Sequence, residues 1–337
     1  MLKARLRWGY NVEKNVRQGN QPERFALVGD IGGTNTRLGI MSSDGRIVER
    51  IKDLDSRRLN PEMLIDNINR LYVDCKDYFR SPDSFVGVSI AFAGLVNQTL
   101  GGMEASPHLS NYVGISFLDM LHNRLPGIHY VENDAAAACL AEYRLGAGVG
   151  AKNMIYVAVG TGIGGGLIID GSLYRGSGGF AGEIGHIYAG SEFMCACGKF
   201  GCLEAMNSGS GIETYLSNMH LLDAYDDMGK RASGESQRYA NAVGSEWVVS
   251  VETIDRIGKN IGTGLGSVVN IMNPDTVVIG GGLSSWTDDL LSPISESLRE
   301  TAFGPMTKGL RVSIGSLGDQ AGMLGAGLLL FDIYSAT

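Results

Sequence analysis

Short apolar runs closed by glycine or aspartate recur along this chain. Residues 25–29 (FALVG) end at Asp30 and read as a buried strand. The turn Asp30-Ile-Gly-Gly-Thr34 leads into a second apolar run, residues 37–41. Asp44-Gly45 is a hairpin signal, so residues 45–51 are expected as a third strand. Residues 61–79 carry Met63, Ile65, Ile68, Leu71 and Tyr72 at helical spacing. A strand over 84–91 reaches Gly94, a helix is expected over 117–125, and a strand over 128–132 delivers Asn133-Asp134. An alanine-rich helix over 135–143 follows, with 146–150 as a connector.

The opening pattern then returns. Residues 154–160 (MIYVAVG) form an apolar run, Thr161 to Gly166 reads as a glycine turn, 167–169 as a strand, and Asp170-Gly171 as another hairpin signal. The two units lie about 130 residues apart, far beyond the 20–50-residue period of a solenoid. Two similar lobes are the expectation. Helices over 245–272, 288–299 and 320–334, and a strand over 276–279 followed by Gly280-Gly-Gly282, complete the reading. The polar stretch 223–245 reads as a surface helix and loop.

Composition adds three constraints. The chain has 337 residues and 49 glycines, about double the usual share, without a collagen period. A net charge of −8 argues against a general nucleic-acid binder. No apolar run approaches the roughly 18 residues of a membrane helix, so no membrane partner is expected. Residues 1–24 are basic (Lys3, Arg5, Arg7, Lys14, Arg17 and Arg24 against Glu13 and Glu23) and lack a secretory core. They read as a solvated tail, with organellar import as the alternative. Five cysteines, an odd number, point to a reducing, cytoplasmic setting.

Several short motifs carry chemistry. In Asp30-Ile-Gly-Gly-Thr34 the glycines let backbone amides approach an anion, and Asp30 can hold a divalent cation through water. A plain hairpin is the alternative. Gly160-Thr-Gly-Ile-Gly-Gly165 matches the dinucleotide pattern G-x-G-x-x-G, but strand and hairpin follow it rather than a helix, which excludes that site. No Walker lysine motif occurs. Gly280-Gly-Gly282 suits a flat or anionic ligand or a simple turn. Asp134 is either the N-cap of the alanine-rich helix or a carboxylate presented at a strand tip as a general base. His186, Cys195, Cys197 and Cys202 form a Cys3His set that matches closed, structural zinc. Such a site would fix Glu183, His186 and Glu204 on one loop, a cluster suited to a polyhydroxylated ligand.

Taken in order, Asp30-Ile-Gly-Gly-Thr34, Glu132-Asn-Asp134, Gly160-Thr-Gly-Ile-Gly-Gly165, Gly182-Glu-Ile-Gly-His186, C-x-C-G-x-x-G-C-x-E and Gly280-Gly-Gly282 resemble ROK-family proteins, which comprise sugar kinases and repressors. The resemblance spans residues 25–331. It implies an α/β, actin/hexokinase-like fold of two duplicated, ribonuclease-H-like lobes. The smaller lobe would hold residues 25–133 with 318–337, and the larger one 134–317. The implied reaction is transfer of phosphate from ATP, with Mg2+, to a hexose, glucose foremost. Asp134 would be the base. Asn133, Glu183, His186, Glu204, Gly94 and His108 would face the sugar. Asp30, Gly32, Gly33, Thr34, Asn35, Thr161 and Gly162 would cradle phosphate and Mg2+, with Gly281 and Gly282 on the adenosine side. The resemblance also implies a homodimer or homotetramer.

Two departures bear on the sugar. Ser106-Pro-His-Leu109 places His108 where family kinases often have Asn, and Ala91-Phe-Ala-Gly94 lacks the frequent Pro before Gly. N-acetylmannosamine kinase, fructokinase and allokinase are therefore alternatives. A sugar-responsive regulator is the distant one, because the 24 residues before Phe25 show no helix-turn-helix pattern.

Overall fold

The computed structural model describes residues 23–79, 81–218, 251–282 and 287–337. Residues 1–22 of the basic extension, the polar stretch 223–245 and the first residues of the helix expected from 245 lie outside these.

The first sheet follows from the opening pattern. Strands β1 (Phe25–Ile31), β2 (Asn35–Ser42) and β3 (Ile47–Asp55) form an antiparallel meander. Strand β4 (Phe85–Phe92) is buried along its whole length, so it lies inside the sheet and pairs in parallel with β1. A small hairpin follows, β5 (Leu95–Asn97) with β6 (Gly102–Ala105), and then β7 (Ile128–Asn133), parallel to β4. The sheet order is β3-β2-β1-β4-β7. The helix Pro61–Asp74 covers one face through Leu64, Ile65, Ile68 and Leu71. Asn60 caps it by accepting from the Met63 amide at 2.8 Å, and Pro61 occupies the first turn, where no amide is missed. The helix ends at Asp74, because residues 76–78 tighten into a 3-10 turn.

The second sheet repeats that plan. Strands β8 (Met154–Val159), β9 (Ile163–Ile169) and β10 (Ser172–Tyr174) form a meander. A short pair, β11 (Tyr188–Met194) and β12 (Phe200–Cys202), stands outside the sheet. Strands β13 (Thr276–Gly280) and β14 (Arg311–Ile314) add in parallel, giving β10-β9-β8-β13-β14. Order and strand directions match those of the first sheet, so the duplicated two-lobed, actin/hexokinase-like architecture is the one found. The helices Val251–Met272 and Thr287–Thr301 close this lobe's core, with Ile257, Ile261, Leu265, Leu290, Ile294 and Leu298 fully buried.

One expectation is corrected. The glycine turn expected over 161–166 ends at Gly162, and Gly164, Gly165 and Gly166 belong to β9. These glycines serve packing. A Cβ at Gly164 would lie 2.9 Å from that of Ala135, one at Gly165 would lie 2.5 Å from the Gly182 carbonyl, and one at Gly166 would collide with Cys139. The helix Asp134–Leu145 thus rests almost on the backbone of β9.

That helix and Ala321–Ala336 pack against each other between the two sheets. The contact is backbone-close, since any Cβ on Gly325 would strike the Ala137 carbonyl. Glu142 ties the same helix to the approach of the other. It is 1% exposed and accepts from the amides of Ala147 (2.8 Å), Ser316 (3.1 Å) and Leu317 (2.8 Å). Among the described residues no helix is long and apolar enough to cross a membrane.

Candidate active site

The tips of β1, β7 and β8 and the loops beyond them converge. Asp30 is the penultimate residue of β1. At the end of β7, Asn133 is the helix N-cap: its Oδ1 accepts from the Ala136 amide at 2.8 Å. Asp134 is therefore not the cap, which settles one of the two readings open in the sequence. It is the first helical residue, and its Oδ1 accepts from the Ala135 amide at 2.8 Å. Burial pushes its carboxyl up to about 7, the nearby Asp30 charge adds to this, and Glu183 adds further; the Ala135 amide opposes them. A carboxylate poised near neutrality at a strand tip is suited to taking a proton from a hydroxyl.

A pocket beside it is lined by Gly94, Asn133, Ala136, Arg175, Phe180 and Glu183, among others. Asn133 Nδ2 donates to the Gly94 carbonyl at 3.0 Å, joining the strand tip to the turn after β4. Burial raises the Glu183 carboxyl above its usual range, with Glu204 adding to the effect and His186 opposing it. Glu132 points back into the protein, with its side chain 2% exposed. Its Oε2 accepts from Arg175 Nε at 2.8 Å and from the Tyr130 hydroxyl at 3.2 Å, while Oε1 accepts from the Asn133 amide at 3.0 Å.

The metal set comes together as the spacing predicts. One ligand atom from each of His186, Cys195, Cys197 and Cys202 lies within 4.8 Å of the others. Cys195 Sγ is 3.7 Å from His186 Nδ1, and Cys197 Sγ is 3.6 Å from Cys202 Sγ. Tetrahedral zinc, with bonds of about 2.0–2.3 Å, demands ligand separations of this size. His186 turns its other nitrogen, Nε2, toward Glu183 Oε2 at 3.8 Å. Glu204 follows the last cysteine and bridges two features. Its Oε2 accepts from the Ile163 amide at 2.7 Å, beside the turn at Gly162, and Oε1 accepts from the Cys195 thiol at 3.6 Å.

The glycine turns form a second group. Gly32 donates to the Asn35 carbonyl at 2.9 Å, and Thr34 accepts from the Ser56 amide at 2.9 Å. The Thr161 carbonyl accepts from Ser210, through the amide (3.0 Å) and the hydroxyl (2.7 Å). A Cβ on Gly160 would lie 3.6 Å from the Gly282 amide, so the turns at 160–162 and 280–282 are neighbours. Gly281 has φ +85°, and a Cβ there would lie 2.5 Å from the Val159 carbonyl, so only glycine fits. His108 packs over Gly33, whose Cβ would lie 2.8 Å from that of His108; it thus stands against the β1–β2 turn.

Two site residues escape the sequence reading. Arg175 sits in the glycine-rich run before Glu183, and its only signal is a lone cation there. Arg37 lies opposite Asp30 in the β1–β2 ladder, with Nη1 3.8 Å from Asp30 Oδ2. The two-residue alternation of a strand places it there, but only once the register is known.

Known proteins resemble this chain in sequence and fold. The sequence model of the ROK family matches residues 27–333. A glucokinase from Halalkalibacterium halodurans is 30% identical over 320 residues, covering 91% of this chain and 95% of its own. A xylose repressor from Caldicellulosiruptor bescii is 27% identical over 261 residues, covering 76% of this chain and 65% of its own. The crystal structure of a ROK family glucokinase from Streptomyces griseus, in complex with glucose and AMPPNP, superposes with a TM-score of 0.71 at 26% identity, covering 90% of this chain and 98% of that one.

Proposed function

The chain belongs to the ROK family and is an ATP-dependent sugar kinase, and we propose that its acceptor is glucose, converted to glucose 6-phosphate. One observation carries the chemical reading: Asp134, at the tip of β7, has its carboxyl lifted to about 7 by burial and by Asp30. In this reading Asp134 accepts the proton of the attacking hydroxyl as the oxygen meets the γ-phosphorus of ATP. Phosphoryl transfer needs alignment and charge neutralisation more than covalent help. The residues around Asp134 are suited to the first. Asn133, Glu183, His186, Glu204, Gly94 and His108 are assigned to holding the sugar.

The amides and hydroxyls of Gly32, Gly33, Thr34, Asn35, Thr161 and Gly162 are assigned to the phosphates, and Gly281 and Gly282 to the adenosine. Asp30 is assigned to hold Mg2+ through water, and its charge beside that of Asp134 supports a cation there. The ion would neutralise the phosphate oxygens. His186, Cys195, Cys197 and Cys202 are assigned to structural zinc, which supplies rigidity to the loop bearing Glu183 and Glu204. Residues 25–133 with 318–337 are taken as one lobe and 134–317 as the other. The assembly is taken as a cytoplasmic homodimer or homotetramer, which light scattering tests.

Glucose is preferred because similar bacterial proteins are glucokinases at about 30% identity over most of both chains. The test is ADP release with glucose, mannose, N-acetylmannosamine, N-acetylglucosamine, fructose and allose. The highest kcat/KM is expected for glucose. A higher value for another sugar overturns the acceptor, and no turnover on any overturns the assignment of the site.

A further inference from the structure

We infer that Arg175 and Glu132 form a latch between the lobes that sets hexose affinity, with Arg175 as a positioning residue for Asn133 and Glu183. The inference rests on the hexose kinase reading above.

Glu132 lies on β7 of the first sheet, while Arg175 directly follows β10 of the second. Their 2.8 Å contact therefore bridges the two sheets, beside the pocket lined by Asn133 and Glu183. Each partner reaches one wall of that pocket. On the first lobe, Glu132 Oε1 holds the Asn133 amide at 3.0 Å, and Asn133 holds the Gly94 carbonyl in turn. On the second, the Arg175 carbonyl accepts from the Ala181 amide at 3.0 Å, closing the loop that runs directly into Gly182 and Glu183. The ion pair thus spans from one wall to the other, beside the packing of the helix Asp134–Leu145 on β9.

The chemistry suits a latch. The Glu132 side chain is 2% exposed and that of Arg175 32%. A carboxylate so buried requires a cation, and arginine offers a rigid fork with further donors. The Arg175 guanidinium is a permanent cation, and the Glu132 charge beside it offsets the cost of its burial. Breaking the pair would leave the Glu132 carboxylate with only the Tyr130 hydroxyl and the Asn133 amide as partners. Closure is favoured by that penalty, and a bound hexose gains from the wall spacing that closure fixes. Nothing in the ion pair touches the glycine turns assigned to ATP, so the two substrates should respond differently.

The experiment uses the full chain and compares wild type, Arg175→Met, Arg175→Lys, Glu132→Gln and the double variant Arg175→Met/Glu132→Gln. Steady-state kinetics give KM for the best hexose, KM for ATP and kcat, and melting temperature monitors folding. Arg175→Met should raise the hexose KM at least tenfold while the ATP KM stays within twofold. Arg175→Lys should recover part of the loss. The double variant should be no worse than the worse single variant, because both remove one interaction. Glu132→Gln is nearly isosteric and keeps the test open if Arg175→Met fails to fold. An unchanged hexose KM, or equal rises for hexose and ATP, in a folded variant overturns the latch. Absence of wild-type turnover on every hexose overturns the kinase reading instead.

Discussion

Replacing Asp134 by asparagine removes one charge and tests the proposed chemistry and its energetic consequence together. The ordinary carboxyl value is 3.8 and the folded protein holds Asp134 at about 7. Between those limits the folded state keeps a proton that the unfolded chain releases. The group's contribution to stability is therefore lost as pH rises from about 4 to about 7, and stays lost above. The full difference corresponds to about 4 kcal/mol. Because the residue is half-buried rather than enclosed, solvent screening reduces this to about 2 kcal/mol. Asp134→Asn should accordingly be more stable than wild type at pH 8, melting a few °C higher, and nearly equal to it at pH 4. Turnover should fall by a factor on the order of 10² to 10⁴, with sugar binding retained. In the wild type, kcat/KM should climb with pH and level off above about 7, and the variant's residual rate should lack that limb. The assays are coupled ADP release over pH 5–9 and calorimetric melting. Near-wild-type kcat in the variant, or a lower melting temperature at pH 8, refutes the reasoning.

Further outcomes follow from other contacts. Metal analysis of the purified protein should find one zinc per chain, and Cys202→Ser should lose it and melt lower, since three ligands hold the ion poorly. Glu142→Gln should destabilise by about 1–3 kcal/mol in urea unfolding, because its new NH2 group faces amides that need an acceptor. Gly325→Ala should cost about 1–3 kcal/mol by the same measurement, as its methyl would press on the Ala137 carbonyl.

Much of this protein was legible before its structure. The repeat of strand, glycine turn, strand and Asp-Gly turn foretold two sheets of one topology. The spacing of Cys195, Cys197 and Cys202 foretold a cluster with His186. What stayed hidden depends on long-range packing. Gly164, Gly165 and Gly166 read as a turn because glycine marks both a bend and a close approach, and only the neighbouring helix distinguishes these. Strands β5, β6 and β12 have three or four residues, too few to show alternation, and β11 pairs with β12 through two register shifts that break it. The partnership of Arg175 with Glu132, 43 residues away, has no local signature. The packing of His108 over Gly33, 75 residues away in the chain, likewise has no local signature.

The seam between the helices Asp134–Leu145 and Ala321–Ala336 sets how closely the two sheets can be held. Ala137 is buried on one helix and Gly325 and Ala326 on the other, with Gly325 directly against the Ala137 carbonyl. Large side chains lock a helix crossing by setting ridges into grooves. Here the closest surfaces are a methyl-bearing backbone and bare glycine, and the bidentate Arg144–Asp332 pair ties the same two helices further along. The seam acts as a spacer: it fixes how closely the helices covering the two sheets approach. Adding bulk there would push the two helices apart instead of filling a void, because no space separates them.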